Sequence, residues 1–517
     1  MGAGLLIRAP PAGPARPRCG VHSASFGPWF VASCMRHSAG RGGKCGAPSR
    51  GLPSDRFVPR ALLNSRAMLR IDETPAPKRR AAPAAKSPPG PWLVVFLVAL
   101  ALRVGYVWIA AGPGAVPSSD PLEYDTVAWN LARGAGFSLG YGADAYPTAF
   151  VPPVVPWITS LLYRVAGHQF FAALLLQCVI GATIPLLLAS FASATFGGSV
   201  ARIAAWLAAL HPLLVFFSGY LLTETTFTAA LLAALVASAA WLKTPRPGRA
   251  LGVGLLWGLA CLTRPTALAL PALVGLWAWG PLGLTIAPRD RVRQIAMLAL
   301  GVALVVGPWT LRNGAALGAF VPVTTGGGRA FLDSNNPLVW GNPDTRGGAN
   351  STYSIEPWAS MFRGRSEPEV DAIARAEGVR FLGEHAAEWP AMALAKLTRF
   401  WRLTAEGGGT GHWQREGSPL IALARSVDPL LIWSLVVLPF AIFGWVRSLA
   451  GGRRWYLSLP ALVILYFTCL AMLFWGSLRM RVPVEPLVLL YAAVGADEAR
   501  RRWLTRARGL RVIEGRG

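Results

Sequence analysis

Ser118 to Gly136 reads SSDPLEYDTVAWNLARGAG, a few residues beyond the apolar run 92–111, WLVVFLVALALRVGYVWIAA. A run of that kind is long enough to cross a bilayer, which takes ~20 apolar residues as a helix. Three carboxylates, Asp120, Glu123 and Asp125, therefore stand at the mouth of a membrane helix. Ionisable groups near the membrane are costly and tend to face a cavity with a partner, so this stretch marks a candidate site.

Composition points the same way. Of 517 residues, 53% are hydrophobic, only 15% are charged and 21 are Trp, and the mean hydropathy is +0.42. Such a chain is too apolar for a soluble domain of its length and reads as a polytopic membrane protein. The formal net charge of +25 does not indicate nucleic acid, because the basic residues fall in short clusters between apolar runs, as in cytoplasmic loops. Six Cys, three of them in the first 45 residues, show no metal-ligand spacing and no disulfide framework.

Residues 1–67 are rich in Arg, Pro, Gly and Ser and are set apart from the fold as upstream translation or a transit-like segment, with Met68 as a natural start. Residues 68–91 form a Pro-rich basic cytoplasmic tail. Ten apolar runs follow, near 92–111, 170–191, 200–217, 222–242, 250–262, 266–280, 295–311, 428–447, 456–475 and 484–497. Basic clusters fix the orientation: Lys78 to Lys86 before the first run, Lys243 to Arg249, Arg289 to Arg293, Arg447 to Arg454, and Arg500 to Arg508 after the last. With all of these inside, ten spans leave both termini cytoplasmic. The expected architecture is an all-α polytopic membrane protein of about ten transmembrane helices. An N-terminal module, 92–311, includes a first outer loop, 112–169; an extracytoplasmic subdomain, 312–427, contains a helix at EPEVDAIARAEGVRFLGEHAAEW, apolar at Val370, Ile373, Ala374, Val379 and Phe381; C-terminal helices span 428–497, and a basic tail runs 498–517.

On that topology other charged residues gather at the same outer face. Glu224 lies in YLLTETTF, Arg264 in CLTRPT, Arg312 in GPWTLRN, and Arg479 and Arg481 in WGSLRMRVPVEP. Arginines recognise phosphate through bidentate contacts, and a carboxylate takes a proton from an incoming hydroxyl. A sugar joined to a lipid phosphate satisfies both demands, since its leaving group is already good and its apolar tail needs a bilayer.

These motifs, with YPTAFVPPVVPWITSLLYRVAG and the segment running on to VTTGGGRAFLDSNNP, make the chain from about Trp92 to Ala496 resemble bacterial glycosyltransferases of family 39. Those are protein-mannosyltransferase-like and RgtA/B/C/D-like members of the GT-C superfamily, related to the lipid A aminoarabinose transferases. The resemblance implies that Asp120 is the catalytic base, that Tyr124 is the aromatic following it, and that Glu224, Arg264, Arg312 with Asn313, and the pair Arg479 and Arg481 match further site positions. The arginine pair would touch lipid phosphate. Many relatives carry two adjacent acids where this chain has Asp120-Pro121 with Glu123 beyond, so Glu123 is the alternative base and the need for a divalent metal is left open. The implied activity is inverting transfer of a sugar from a polyprenyl-phosphate donor to a glycan, lipid or protein acceptor in the cell envelope, at the plasma (inner) membrane. A transporter or flippase of lipid-linked sugars is the competing reading.

Simpler roles are also open to these residues. Asp120, followed by Pro and then Glu123, suits a helix cap; Arg264, Arg479 and Arg481 suit headgroup anchors. TTGGGRAF, Thr324 to Phe331, lacks the lysine of a phosphate loop and reads as a flexible turn. His168, His211, His385 and His412 show no metal spacing, and most Trp residues suit an aromatic belt.

Overall fold

The computed structural model describes residues 90–280, 284–404, 428–450 and 459–514. The expectations for 1–89, for Arg453, Arg454 and His412, and for the end of the subdomain lie outside the described residues.

The chain is helical. The first run becomes α1 (Gly90–Ala110), and the loop after it carries α2 (Asp120–Ala132), a two-stranded antiparallel pair, Ser138–Leu139 with Tyr146–Pro147, and α3 (Val154–Ala166). Then come α4 (Phe170–Thr195), α5 (Gly198–Leu210), α6 (Pro212–Phe217), α7 (Thr223–Lys243), α8 (Pro247–Thr263), α9 (Leu270–Trp279) and α10 (Pro288–Leu317). The run predicted as one span at 200–217 is broken at His211-Pro212, because Pro212 has no N–H to continue the ladder. The Ala209 carbonyl near the break accepts from Arg103 Nη1 at 3.3 Å, from a fully buried side chain in α1.

Short helices α11 (Gly327–Ser334), α12 (Pro337–Gly341) and α13 (Trp358–Phe362) lead to α14 (Glu367–Glu384) and α15 (Trp389–Phe400). Helix α14 is the one expected from sequence and opens on a complete capping box between Ser366 and Glu369. Its inner face is Val370, Ala374 and Phe381, whereas Val379 points outward at 57% exposure. The glycine run is not a flexible turn. Gly328 lies in the first turn of α11, where its N–H donates to Asp371 Oδ1 at 2.5 Å and a Cβ would meet the Asp371 carbonyl at 1.9 Å.

The chain ends in α16 (Pro429–Ala450), α17 (Leu459–Leu473), the single turn α18 (Leu478–Arg481) and α19 (Glu485–Glu514), whose helix runs on through most of the basic tail. Among the described residues five helices are long and apolar enough to cross a membrane: α1, α4, α7, α10 and α16. The remaining runs form shorter apolar helices packed among them or, in α19, a helix half apolar and half basic.

Small residues set the helix spacing. Gly254 of α8 and Gly301 of α10 face one another, so that a Cβ on either would lie within 2.4 Å of a backbone carbonyl of the other helix. Gly444 of α16 and Gly495 of α19 repeat the device against the carbonyls of Tyr491 and Phe440. In a bilayer, where lipid tails are as apolar as leucine, close backbone approach of this kind supplies the packing that holds helices together.

Candidate active site

Helix α2 starts at Asp120 because Pro121 occupies a first-turn position where its missing N–H is not needed. The cap position belongs to Ser119, held at φ 52 in the left-handed region and making no side-chain cap bond. Asp120 is therefore not a helix cap. Its carboxylate pairs instead with Arg479 Nη1, from the turn before α19.

Arg479 reaches two acids at once. Its Nε donates to Glu224 Oε1 at 2.5 Å, and Arg264 Nη1 donates to the same oxygen at 3.2 Å. Glu224 sits in the first turn of α7 and is fully buried, while Arg264 follows α8, where Pro265 ends the helix. The second oxygen, Glu224 Oε2, is buried with no partner among the described residues. Tyr124, one turn along α2 from Asp120, is buried within the field of Asp120, Glu224, Arg264 and Arg479. The result is a compact alternation of two carboxylates and two guanidiniums, with Asp120 half exposed at its edge.

Unlike Asp120, Glu123 makes no ion pair among the described residues. Burial and then the nearby Asp120 push its carboxyl up to about 7, against the pull of Arg329 and Arg479.

The other expected residues stand in separate networks. Arg312 donates to the carbonyls of Thr148 at 2.6 Å and Phe137 at 2.7 Å and lies over the Phe137 and Trp309 rings. Asn313 donates to Val321 and Val323 carbonyls. Both residues pin loops together. Arg481 pairs with Glu485, donates to the Arg402 carbonyl at 2.5 Å and, through Glu485, meets His211 at 3.4 Å. This buried trio lines a cavity with Trp401 and Trp433. Sequence reading missed Glu485 and Arg103, and the only signal for either was a charge inside or beside an apolar run. It also left Asp125 unassigned: buried, it accepts from Tyr163 at 2.5 Å and pairs with His168 at 2.8 Å. Among the described residues no three His, Cys, Asp or Glu come together as a metal-holding group; one oxygen each of Asp120 and Glu224 is taken by a guanidinium.

The described chain is a helical bundle whose first loop delivers an acid, Asp120, to an arginine, Arg479, before the last helix. Its fold is that of the archaeal oligosaccharyltransferase AglB from Archaeoglobus fulgidus, solved with an inhibitory peptide and a dolichol-phosphate, with a TM-score of 0.50 and 14% identity over 82% of this chain and 51% of that one. Residues 151–310 match the family model of dolichyl-phosphate-mannose-protein mannosyltransferases. The chain thus shares the fold of that oligosaccharyltransferase, and under a third of it resembles the mannosyltransferase family. It spans about half the length of the oligosaccharyltransferase. ArnT from Cupriavidus metallidurans bound to undecaprenyl phosphate is a more distant likeness, with a TM-score of 0.39 and 15% identity over 79% of each chain. No curated relative matches the chain.

Proposed function

We propose that the chain moves a sugar from a polyprenyl-phosphate donor to an acceptor hydroxyl on the extracytoplasmic face of the plasma membrane, as a family 39 enzyme of envelope glycan assembly. The observation that carries this reading is the sharing of Arg479 between Asp120 and Glu224, with Arg264 on the same acid.

The donor phosphate is a stronger ligand for a guanidinium than either carboxylate, since it offers more acceptor oxygens and more charge. Its arrival draws Arg479 and Arg264 towards the leaving group and loosens Arg479 from Asp120. The freed carboxylate takes the proton of the acceptor hydroxyl, whose oxygen attacks the anomeric carbon. The bond from that carbon to the phosphate oxygen breaks, and the lipid phosphate leaves with the electron pair, its charge held by the arginines. One displacement inverts the anomeric centre. Glu224 keeps the two arginines in place, and its unpaired oxygen is free to accept from a donor-sugar hydroxyl.

The test is transfer of labelled sugar from polyprenyl-phosphate donors in membranes holding the full chain, beside Asp120→Asn at matched protein level. Loss of transfer in the variant, by about a hundredfold or more for a general base, is expected. Equal transfer in both would remove Asp120 from the chemistry, and a product of retained configuration would exclude a single displacement.

A further inference from the structure

Beside Asp120, on the side of the outer subdomain, stands a group of side chains that the transfer step does not use. Glu367, at the start of α14, accepts from Thr148 Oγ1 at 2.5 Å, from the Ala149 N–H at 3.0 Å and from Thr325 Oγ1 at 3.0 Å. It thereby fixes the strand pair of the first loop against the subdomain. Arg329 of α11 lies 4.8 Å from the ring centres of both Phe150 and Tyr353, and its Nε is buried without a partner. Tyr353 is held in turn by its neighbour Thr352, whose N–H and hydroxyl both donate to Asp333. Tyr146, half exposed, shares an electrostatic neighbourhood with Glu123, Glu367 and Tyr353. Glu123 in turn faces Asp120, Arg329, Arg479 and Glu367.

These residues form a rim of planar polar groups around a half-exposed aromatic ring, next to the candidate base. A carboxyl and a guanidinium bind vicinal hydroxyls in pairs, and an aromatic ring covers the C–H face of a sugar. We propose that Glu123, Arg329, Tyr146 and Tyr353 form the acceptor subsite, and that the acceptor it takes is a carbohydrate. The inference rests on the transferase reading above.

The test uses the full chain in proteoliposomes with labelled undecaprenyl-phosphate sugar and two acceptor probes, delipidated envelope glycan from the host and a Ser/Thr-rich peptide. Label is expected in the glycan. Tyr146→Ala should raise the glycan KM about tenfold, the effect of losing one aromatic contact, with donor KM within about twofold and Tyr146→Phe retaining most of the affinity. In the wild type the glycan KM should fall as pH rises through about 7, when Glu123 ionises and its acceptor bonds become charge-assisted; Glu123→Gln should abolish that step. Label in the peptide, or an unchanged glycan KM in Tyr146→Ala, overturns the subsite while leaving the transferase reading intact. Label that never leaves the lipid in the wild type overturns both.

Discussion

At Arg479 one guanidinium faces an acid from α2 and another from α7, and Glu224 has no exposure to water. Replacement by Lys keeps the charge but not the fork that spans both acids. Arg479→Lys should therefore accumulate normally yet lose transfer by about tenfold or more, read as donor KM in the same assay. Arg479→Ala leaves Glu224 with Arg264 alone and should also lower the melting temperature, since a buried acid loses one of its two guanidinium partners. An Ala variant as stable as wild type would mean that the ion pair is incidental. Asp120, Glu224, Arg264 and Arg479 were legible in the sequence because each is an ionisable residue against an apolar background. Arg312 and Arg481 satisfy the same description and stand in separate networks, because sequence does not say which carbonyl or carboxylate an arginine meets. Glu485 escaped notice, and His211 was read only for metal spacing, because each is the other's partner across about half the chain.

Helices find each other through residues whose size, more than whose hydropathy, matters. Gly495→Ala would place a methyl 2.1 Å from the Phe440 carbonyl and 3.1 Å from the Gly444 nitrogen, with backbone on both sides and no side chain able to move. The helices α16 and α19 must then separate, a cost of about 1–3 kcal/mol, measurable as a lower melting temperature in detergent; Ala at Gly252, where nothing lies within reach of a Cβ, is the control. Hydropathy located every one of the ten apolar runs. It did not show the break at Pro212 or the helical extension of the basic tail. A second test at this scale concerns Lys396 of α15, buried, donating to Asn335 at 2.6 Å and to the Leu473 carbonyl at 3.1 Å. Burial lowers its pKa from 10.5 to about 7. The native state thus gives up the proton first, so stability should rise with pH between about 7 and 10.5 and be lost as pH falls through that window. Lys396→Met should flatten this rise; an unaltered slope would assign the dependence to other groups.

Across the whole molecule the site is a product of chain order. Arg264 stands 40 residues after Glu224, whereas Arg479 lies 255 residues after it and 359 after Asp120. During synthesis the buried acid therefore acquires its first counter-charge within one helical hairpin, and the apolar helix that carries it need not wait in the membrane with a naked charge. The partner that also reaches Asp120 arrives only when the last helix is about to be made. A nascent or truncated chain lacking that segment would be inserted, charge-neutral at Glu224, and without a complete site, so that the polypeptide acquires its chemistry only once it is nearly finished.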